Sequence, residues 1–194
     1  MKTLYVILLA GFCFPWRVNA QVVFEKIDTT MKIGKYGFHV TCRNKEIVSN
    51  QMSIRPIGYE SPANQSMNVP IRGRLSAVQV DDLNGDGLAD LILFIYSDSA
   101  AIHGTVLALV SGDEKSLLPC PLSDPALDGK ISTGYKGHDT FMMLEGTLLL
   151  RFPIYKPDDK DDHPTGGTRT VQYNVIRGES NAYKFHMLRS YESH

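Results

Sequence analysis

The densest run of hard oxygen donors in the chain is Asp82-Leu83-Asn84-Gly85-Asp86-Gly87-Leu88-Ala89-Asp90. Asp82, Asn84 and Asp86 stand at alternate positions of a loop that Gly87 allows to turn sharply. Leu88 follows with a free carbonyl and Asp90 closes the run. A cation that takes about six to eight oxygens suits this set, so the spacing predicts one structural calcium ion held by Asp82, Asn84, Asp86, Leu88 and Asp90. An EF-hand would place a glutamate where Leu93 stands, and helices where the flanks read as strands. The same Asn-Gly and Asp-Gly pairs would also serve a plain polar hairpin turn. The motif occurs once, whereas a propeller built on such loops would repeat it.

A second loop, Ser97-Asp98-Ser99-Ala100-Ala101-Ile102-His103-Gly104, is rich in small residues and carries Ile102 and His103. Loops on a rigid sheet are where binding residues concentrate, so Ser99, Ile102 and His103 are candidate partner-binding residues; an ordinary connection has the same composition. Residue types for a catalytic triad exist in Ser97, Ser99, His103, His138, Asp139 and Glu145, but no pattern joins them. There is no nucleophile elbow, no His-Glu-x-x-His zinc spacing and no phosphate-cradling glycine loop, and the expectation is a protein that is not an enzyme. His138-Asp139 after Lys136-Gly137 reads as a turn with satisfied polar groups, and Asp158 to Asp162 as a solvated loop.

The elements that must hold these loops are strands. Tyr36–Cys42, Leu75–Val80, Leu91–Tyr96, Thr105–Val110, Phe141–Leu144, Thr147–Phe152, Thr170–Ile176 and Tyr183–Leu188 are short, rich in branched or aromatic residues, and bounded by turn formers. Val171, Tyr173 and Val175 alternate with Gln172, Asn174 and Arg177, the pattern of a strand with one wet face. Leu91 to Tyr96 is apolar on both faces and is the candidate for a central buried strand. Glu145-Gly146 reads as a tight hairpin turn, and Pro56–Pro70 and Lys156–Gly167 as long loops. The fold class expected is all-β, a single-domain antiparallel β-sandwich or open barrel of about eight strands over residues 21–194.

Residues 1–20 read as a cleavable signal peptide: Lys2, an apolar run from Leu4 to Phe14, then Val18-Asn19-Ala20 with small residues at the exit. The run falls well short of a bilayer span, and Phe12 before Cys13 argues against lipidation. The full chain of 194 residues carries a formal net charge of -1, and loss of Lys2 and Arg17 makes the remainder more acidic. That balance gives no reason to expect nucleic acid or an anionic membrane as partner. Cys42 and Cys120 would remain in an oxidising compartment, where one disulfide is the simplest expectation; two buried thiols are the alternative.

Taken together, Val80-Asp81-Asp82-Leu83-Asn84-Gly85-Asp86-Gly87, Tyr135-Lys136-Gly137-His138-Asp139, Leu144-Glu145-Gly146-Thr147-Leu148, Arg151-Phe152-Pro153-Ile154-Tyr155 and Pro164-Thr165-Gly166-Gly167-Thr168-Arg169 resemble the periplasmic inhibitors of invertebrate-type lysozyme. The resemblance spans roughly Leu75 to Ile176, and its last three blocks, in fixed order, are the most specific. It implies a bacterial β-sandwich that works in the periplasm, inserts a loop into the active-site cleft of a lysozyme, and catalyses nothing. The wider set of lysozyme inhibitors carries a Ser-Gly-x-x-Tyr type motif on that loop. Here Ser99-Ala100-Ala101-Ile102-His103 keeps the serine and has alanine and histidine in place of glycine and tyrosine. Ser99 would hydrogen-bond a catalytic carboxylate, and His103 would donate a second bond, more strongly when protonated. The competing expectation is a calcium-stabilised extracellular adhesion or carbohydrate-binding module without inhibitory activity.

Overall fold

A computed structural model describes residues 25–97, 102–160, 163–178 and 180–193. The signal peptide expected over residues 1–20 lies outside them. The chain is all-β and antiparallel. Its strands are β1 (Ile27–Ile33), β2 (Tyr36–Cys42), β3 (Ser49–Ile57), β4 (Met67–Arg72), β5 (Arg74–Asp81), β6 (Asp90–Tyr96), β7 (Gly104–Asp113), β8 (Ser116–Pro121), β9 (Thr140–Leu144), β10 (Thr147–Pro153), β11 (Thr168–Arg177) and β12 (Tyr183–Ser193). They form three four-stranded sheets, ordered β1-β2-β3-β4, β5-β6-β7-β8 and β12-β11-β10-β9. No helix among the described residues is long and apolar enough to cross a membrane.

Each strand expected from alternation and turn signals forms, and β1, β3, β4 and β8 are additional. Their composition explains why they were hidden. β3 opens on Ser49-Asn50-Gln51, β4 contains Pro70, and β8 contains Pro119 and Pro121. Proline cannot donate to a ladder and so argues against a central strand, but β4 and β8 are both edge strands of their sheets. The loop expected over Pro56–Pro70 is therefore shortened from both ends, while the described residues of the expected loop from Lys156 to Gly167 hold no strand. Glu145 and Gly146 both have positive φ, 48° and 73°, in the two-residue hairpin joining β9 to β10.

The β5–β8 sheet is the middle layer. Alternation along β6 sends Leu91, Leu93 and Ile95 into one core, with Phe38, Val40, Met52 and Ile54 of the first sheet. Ile92 and Phe94 point the other way, into a second core with Leu148, Leu150, Phe152 and Val171 of the third sheet. A strand buried on both faces has no polar side to present, which is why its sequence is an unbroken apolar run. Asn44, in the turn after β2 with φ 49°, fastens the first layer to the middle one. Its Oδ1 accepts from Leu75 N at 2.9 Å, and its Nδ2 donates to Leu75 O at 2.7 Å and to Glu25 O at 2.8 Å.

The middle sheet also separates the two cysteines. Cys42 belongs to the first core and Cys120 to the second, and both are free buried thiols. The expected Cys42–Cys120 disulfide is thus corrected: the two thiols face opposite sides of one sheet and have no route to each other in the folded chain. Burial pushes the Cys120 thiol up to about 12, so it is a packing residue with no thiolate at neutral pH. A chain beginning at Gln21 is expected to show no thiol reactive to Ellman's reagent when folded and two when denatured, with its Tm unchanged by reductant. A Tm that drops on reduction would mean that the thiols are joined.

Candidate functional site

Two loops leave the two ends of β6. At its start, the Asp82–Asp90 loop is wound around its own acidic side chains. Asp82 Oδ1 accepts from Gly85 N at 2.8 Å and Asp86 N at 3.0 Å, and its Oδ2 accepts from Gly87 N at 2.9 Å. Asp86 Oδ1 accepts from Leu88 N at 2.8 Å. Asn84 Nδ2 donates to Ser111 O at 2.6 Å, tying the loop to β7. Gly85 and Gly87 have φ of 76° and 81°, which L side chains rarely adopt, and this is the backbone reason for glycine at both places.

Asp90 does a different job from its neighbours. It is fully buried at the head of β6; its Oδ2 accepts from Leu83 N at 2.8 Å and its Oδ1 from Ser111 N at 2.7 Å. Ser111 Oγ lies 2.8 Å from Asp90 Oδ1 and 2.9 Å from Asp86 Oδ2, one hydroxyl bridging two carboxylates. Burial outweighs these bonds and pushes Asp90 up to about 6. Asp82, Asn84, Asp86 and the Leu88 carbonyl remain at a partly open rim. Because a carboxylate oxygen has two acceptor sites, Asp82 and Asp86 keep capacity beyond the N–H groups they already bind. That donor set is all oxygen and fits a hard cation. Among the described residues, no three His, Cys, Asp or Glu side chains converge on one point.

At the far end of β6, Asp98 to Ala101 and with them the candidate Ser99 lie outside the described residues. Ile102 is half-buried and His103 exposed. The limb that carries them is gripped by residues 135–139, a segment far away in sequence. Ile102 O accepts from His138 N at 2.6 Å and Asp139 N at 3.1 Å. Asp139 is buried; its Oδ2 accepts from Gly104 N at 2.9 Å and from Tyr135 Oη at 2.8 Å, while Tyr96 Oη donates to the Asp139 carbonyl at 2.8 Å. Ser97 N closes the loop neck onto His103 O at 3.0 Å. Gly137 has φ 83°, and a Cβ there would stand 2.8 Å from Ile102 Cγ2 and 3.0 Å from the His103 ring, so only glycine permits this approach.

His103 also lines a cleft of about 270 Å³ with Ser97, Asp124 and Tyr135. His138, with φ 61°, lies in an irregular segment before β9 and stacks on Tyr155 at 6.0 Å. Asp139 is the residue that sequence reasoning undervalued: it reads as one more turn aspartate, and its burial follows from β9 starting immediately after it. No protein-family model matches the chain, and no curated protein matches it.

Burial also raises the Asp139 carboxyl above the usual range, against the Gly104 and Tyr135 bonds that favour its charged form. The folded chain therefore holds a proton that the unfolded chain has released, and Asp139 makes stability fall as pH rises from the ordinary aspartate value to its raised one. Its Oδ1 has no hydrogen-bond partner among the described residues. An asparagine can keep both bonds through its oxygen and place its NH2 at the unpartnered position. Asp139→Asn is expected to fold and to lose part of the fall in urea-unfolding free energy between pH 4 and 8, the Asp90 part remaining. Asp139→Ala orphans two donors and should cost about 1–3 kcal/mol. An unchanged slope in the asparagine variant would remove Asp139 from this account.

Proposed function

We propose that this chain is an exported, non-enzymatic inhibitor of a lysozyme of the invertebrate type, acting in the periplasm through the loop between β6 and β7. The observation that carries this reading is the grip of Tyr135–Asp139 on Ile102–Gly104. A loop meant to enter an enzyme's cleft must keep its shape, because ordering it on contact would subtract from affinity. The limb bearing His103 is held by three backbone bonds and a buried carboxylate. The segments that resemble lysozyme inhibitors are also the ones that support the two loops. Tyr135–Asp139 clamps the β6–β7 loop, and Gly146 of the 144–148 block donates its N–H to Asp81 Oδ2 at 3.2 Å beside the oxygen-rich loop. The 164–169 block folds back on the 151–155 block through Gly166 N to Ile154 O at 2.9 Å.

In this reading the tip residues Ser99 and His103 donate to the acidic groups of a muramidase cleft, and Ile102 supplies the apolar contact at their base. The target lysozyme is blocked by occupancy, with no bond made or broken. Calcium, held by Asp82, Asn84, Asp86 and the Leu88 carbonyl, would stiffen the other end of β6 without touching the partner.

The test is a cell-wall lysis assay in which the mature protein is titrated against invertebrate-type, chicken-type and goose-type lysozymes. Stoichiometric inhibition of the invertebrate-type enzyme is expected, and Ser99→Ala with His103→Ala should weaken it at least about tenfold with Tm unchanged. Absence of inhibition of all three enzymes would overturn the proposal. The cation is tested separately by thermal unfolding with calcium or with EDTA. Saturation at about a hundred times Kd contributes about 2.7 kcal/mol, a rise of roughly 5–10 °C for a domain of this size. Identical Tm values would mean that the loop closes on its own N–H groups alone.

A further inference from the structure

A broad concavity lies away from both loops, on the outer face of the β1–β4 sheet. It is a groove of about 580 Å³ with a polar lining. Strand register explains its chemistry. Asp28, Thr41, Ser53 and Asn68 are cross-strand partners in one row across all four strands, and Gln51 stands one step away on the same side of β3. These residues alternate with Val40, Met52, Ile54 and Ile71, which fill the first core, so the polar row faces outward.

Four cations on this side stand apart from the bonded Lys26–Asp28 pair. Arg55 follows Ser53 by two on β3, and Arg72 is the cross-strand partner of Ser49 on β4. Arg43 and Lys45 line the groove from the loop after β2. None of the four makes an ion pair among the described residues, and the acids present are Glu46 and Asp28, the latter bound to Lys26 at 2.8 Å. The side chains of Thr41, Gln51, Ser53 and Asn68 likewise make no hydrogen bond to protein among the described residues. The outer face of the third sheet differs. There Arg189 donates to Gln172 at 2.7 Å, and Gln172 donates to Thr147 at 2.9 Å. One polar sheet face is bonded to itself. The first sheet's outer face bonds to itself only toward β1, where Lys26 and His39 reach Asp28 and Thr30 meets His39, and leaves Thr41, Gln51, Ser53, Asn68 and the four cations without a protein partner among the described residues.

We infer that the outer face of the β1–β4 sheet binds an acidic polysaccharide, with Arg43, Lys45, Arg55 and Arg72 matching its carboxylates or sulfates and Gln51, Ser53 and Asn68 its hydroxyls. A flat row of amides and hydroxyls at strand spacing suits a linear polyhydroxylated chain laid across the strands, since each residue offers both a donor and an acceptor. Arginine provides the forked donors that carboxylate and sulfate accept. A single-stranded nucleic acid would call for aromatic platforms among the cations, and the groove lining contains none. The face is distinct from the β6–β7 loop, so glycan binding and lysozyme inhibition are separable.

Isothermal titration of the mature protein with polygalacturonate oligosaccharides tests this, with neutral dextran and a single-stranded DNA oligonucleotide as controls. Saturable binding to the acidic glycan alone is expected. Arg55→Gln with Arg72→Gln should weaken it about tenfold or more, and Gln51→Ala with Asn68→Ala several-fold at unchanged charge, all with a wild-type circular dichroism spectrum. No binding to the glycan would overturn the inference. So would equal affinity for the DNA, or indifference to Gln51 and Asn68, since either would mean unspecific attraction to charge. An effect of the same variants on lysozyme inhibition would show that the two faces are one site.

Discussion

The burial of β6 on both faces is the constraint on which the rest of the structure depends. An apolar strand with water on neither side exists only between two other layers, so the first and third sheets are conditions for the middle one. Each Leu, Ile or Phe it buries contributes about 1.5–3 kcal/mol, shared between two cores by simple alternation. A strand held in this way cannot slip by one residue, because slippage would exchange the contents of both cores at once. Its register is therefore set from both sides at once. The oxygen-rich loop and the β6–β7 loop are attached at the two ends of β6.

Polar side chains at the margins of these cores follow one rule. Asn44, Asp90 and Asp139 are each buried where the backbone leaves a sheet, and each satisfies main-chain N–H groups of a neighbouring segment that would otherwise go unpaired. For the two aspartates this carries an electrostatic cost, since burial disfavours the charge that the N–H groups prefer, and both carboxyls rise. Both carboxyls have structural partners: Asp90 holds Leu83 N and Ser111, and Asp139 holds Gly104 N and the Tyr135 hydroxyl.

Much of this was legible in the sequence, because period-2 alternation and turn glycines are local signals. β2 matches its expected bounds, and β6 was recognisable as central from its unbroken apolar run. What stayed hidden depends on the sheet context of single residues. Pro70, Pro119 and Pro121 argue against strands unless the strands are edges, and edge position is a property of the whole sheet. Cys42 and Cys120 look like a pair by count, and only the layer between them rules the bond out. Asp139 reads as a turn residue until the segment around it is seen to hold Ile102 and Gly104.

The way the β6–β7 loop is held bears on what can vary in it. Among the described residues its anchors act on Ser97, on Ile102 to Gly104, and through Tyr96 at its neck; Gly137 is fixed by close approach and Asp139 by its buried bonds. The scaffold therefore constrains the limbs and leaves the identity of the tip to whatever the loop must contact. His103 is exposed, so a change of side chain there alters reach and hydrogen bonding without disturbing a core residue. Support and exposed surface are separated in this way, so that Asp139, Gly137 and the double-sided β6 hold the limb at Ile102 to Gly104 whatever side chain stands at position 103.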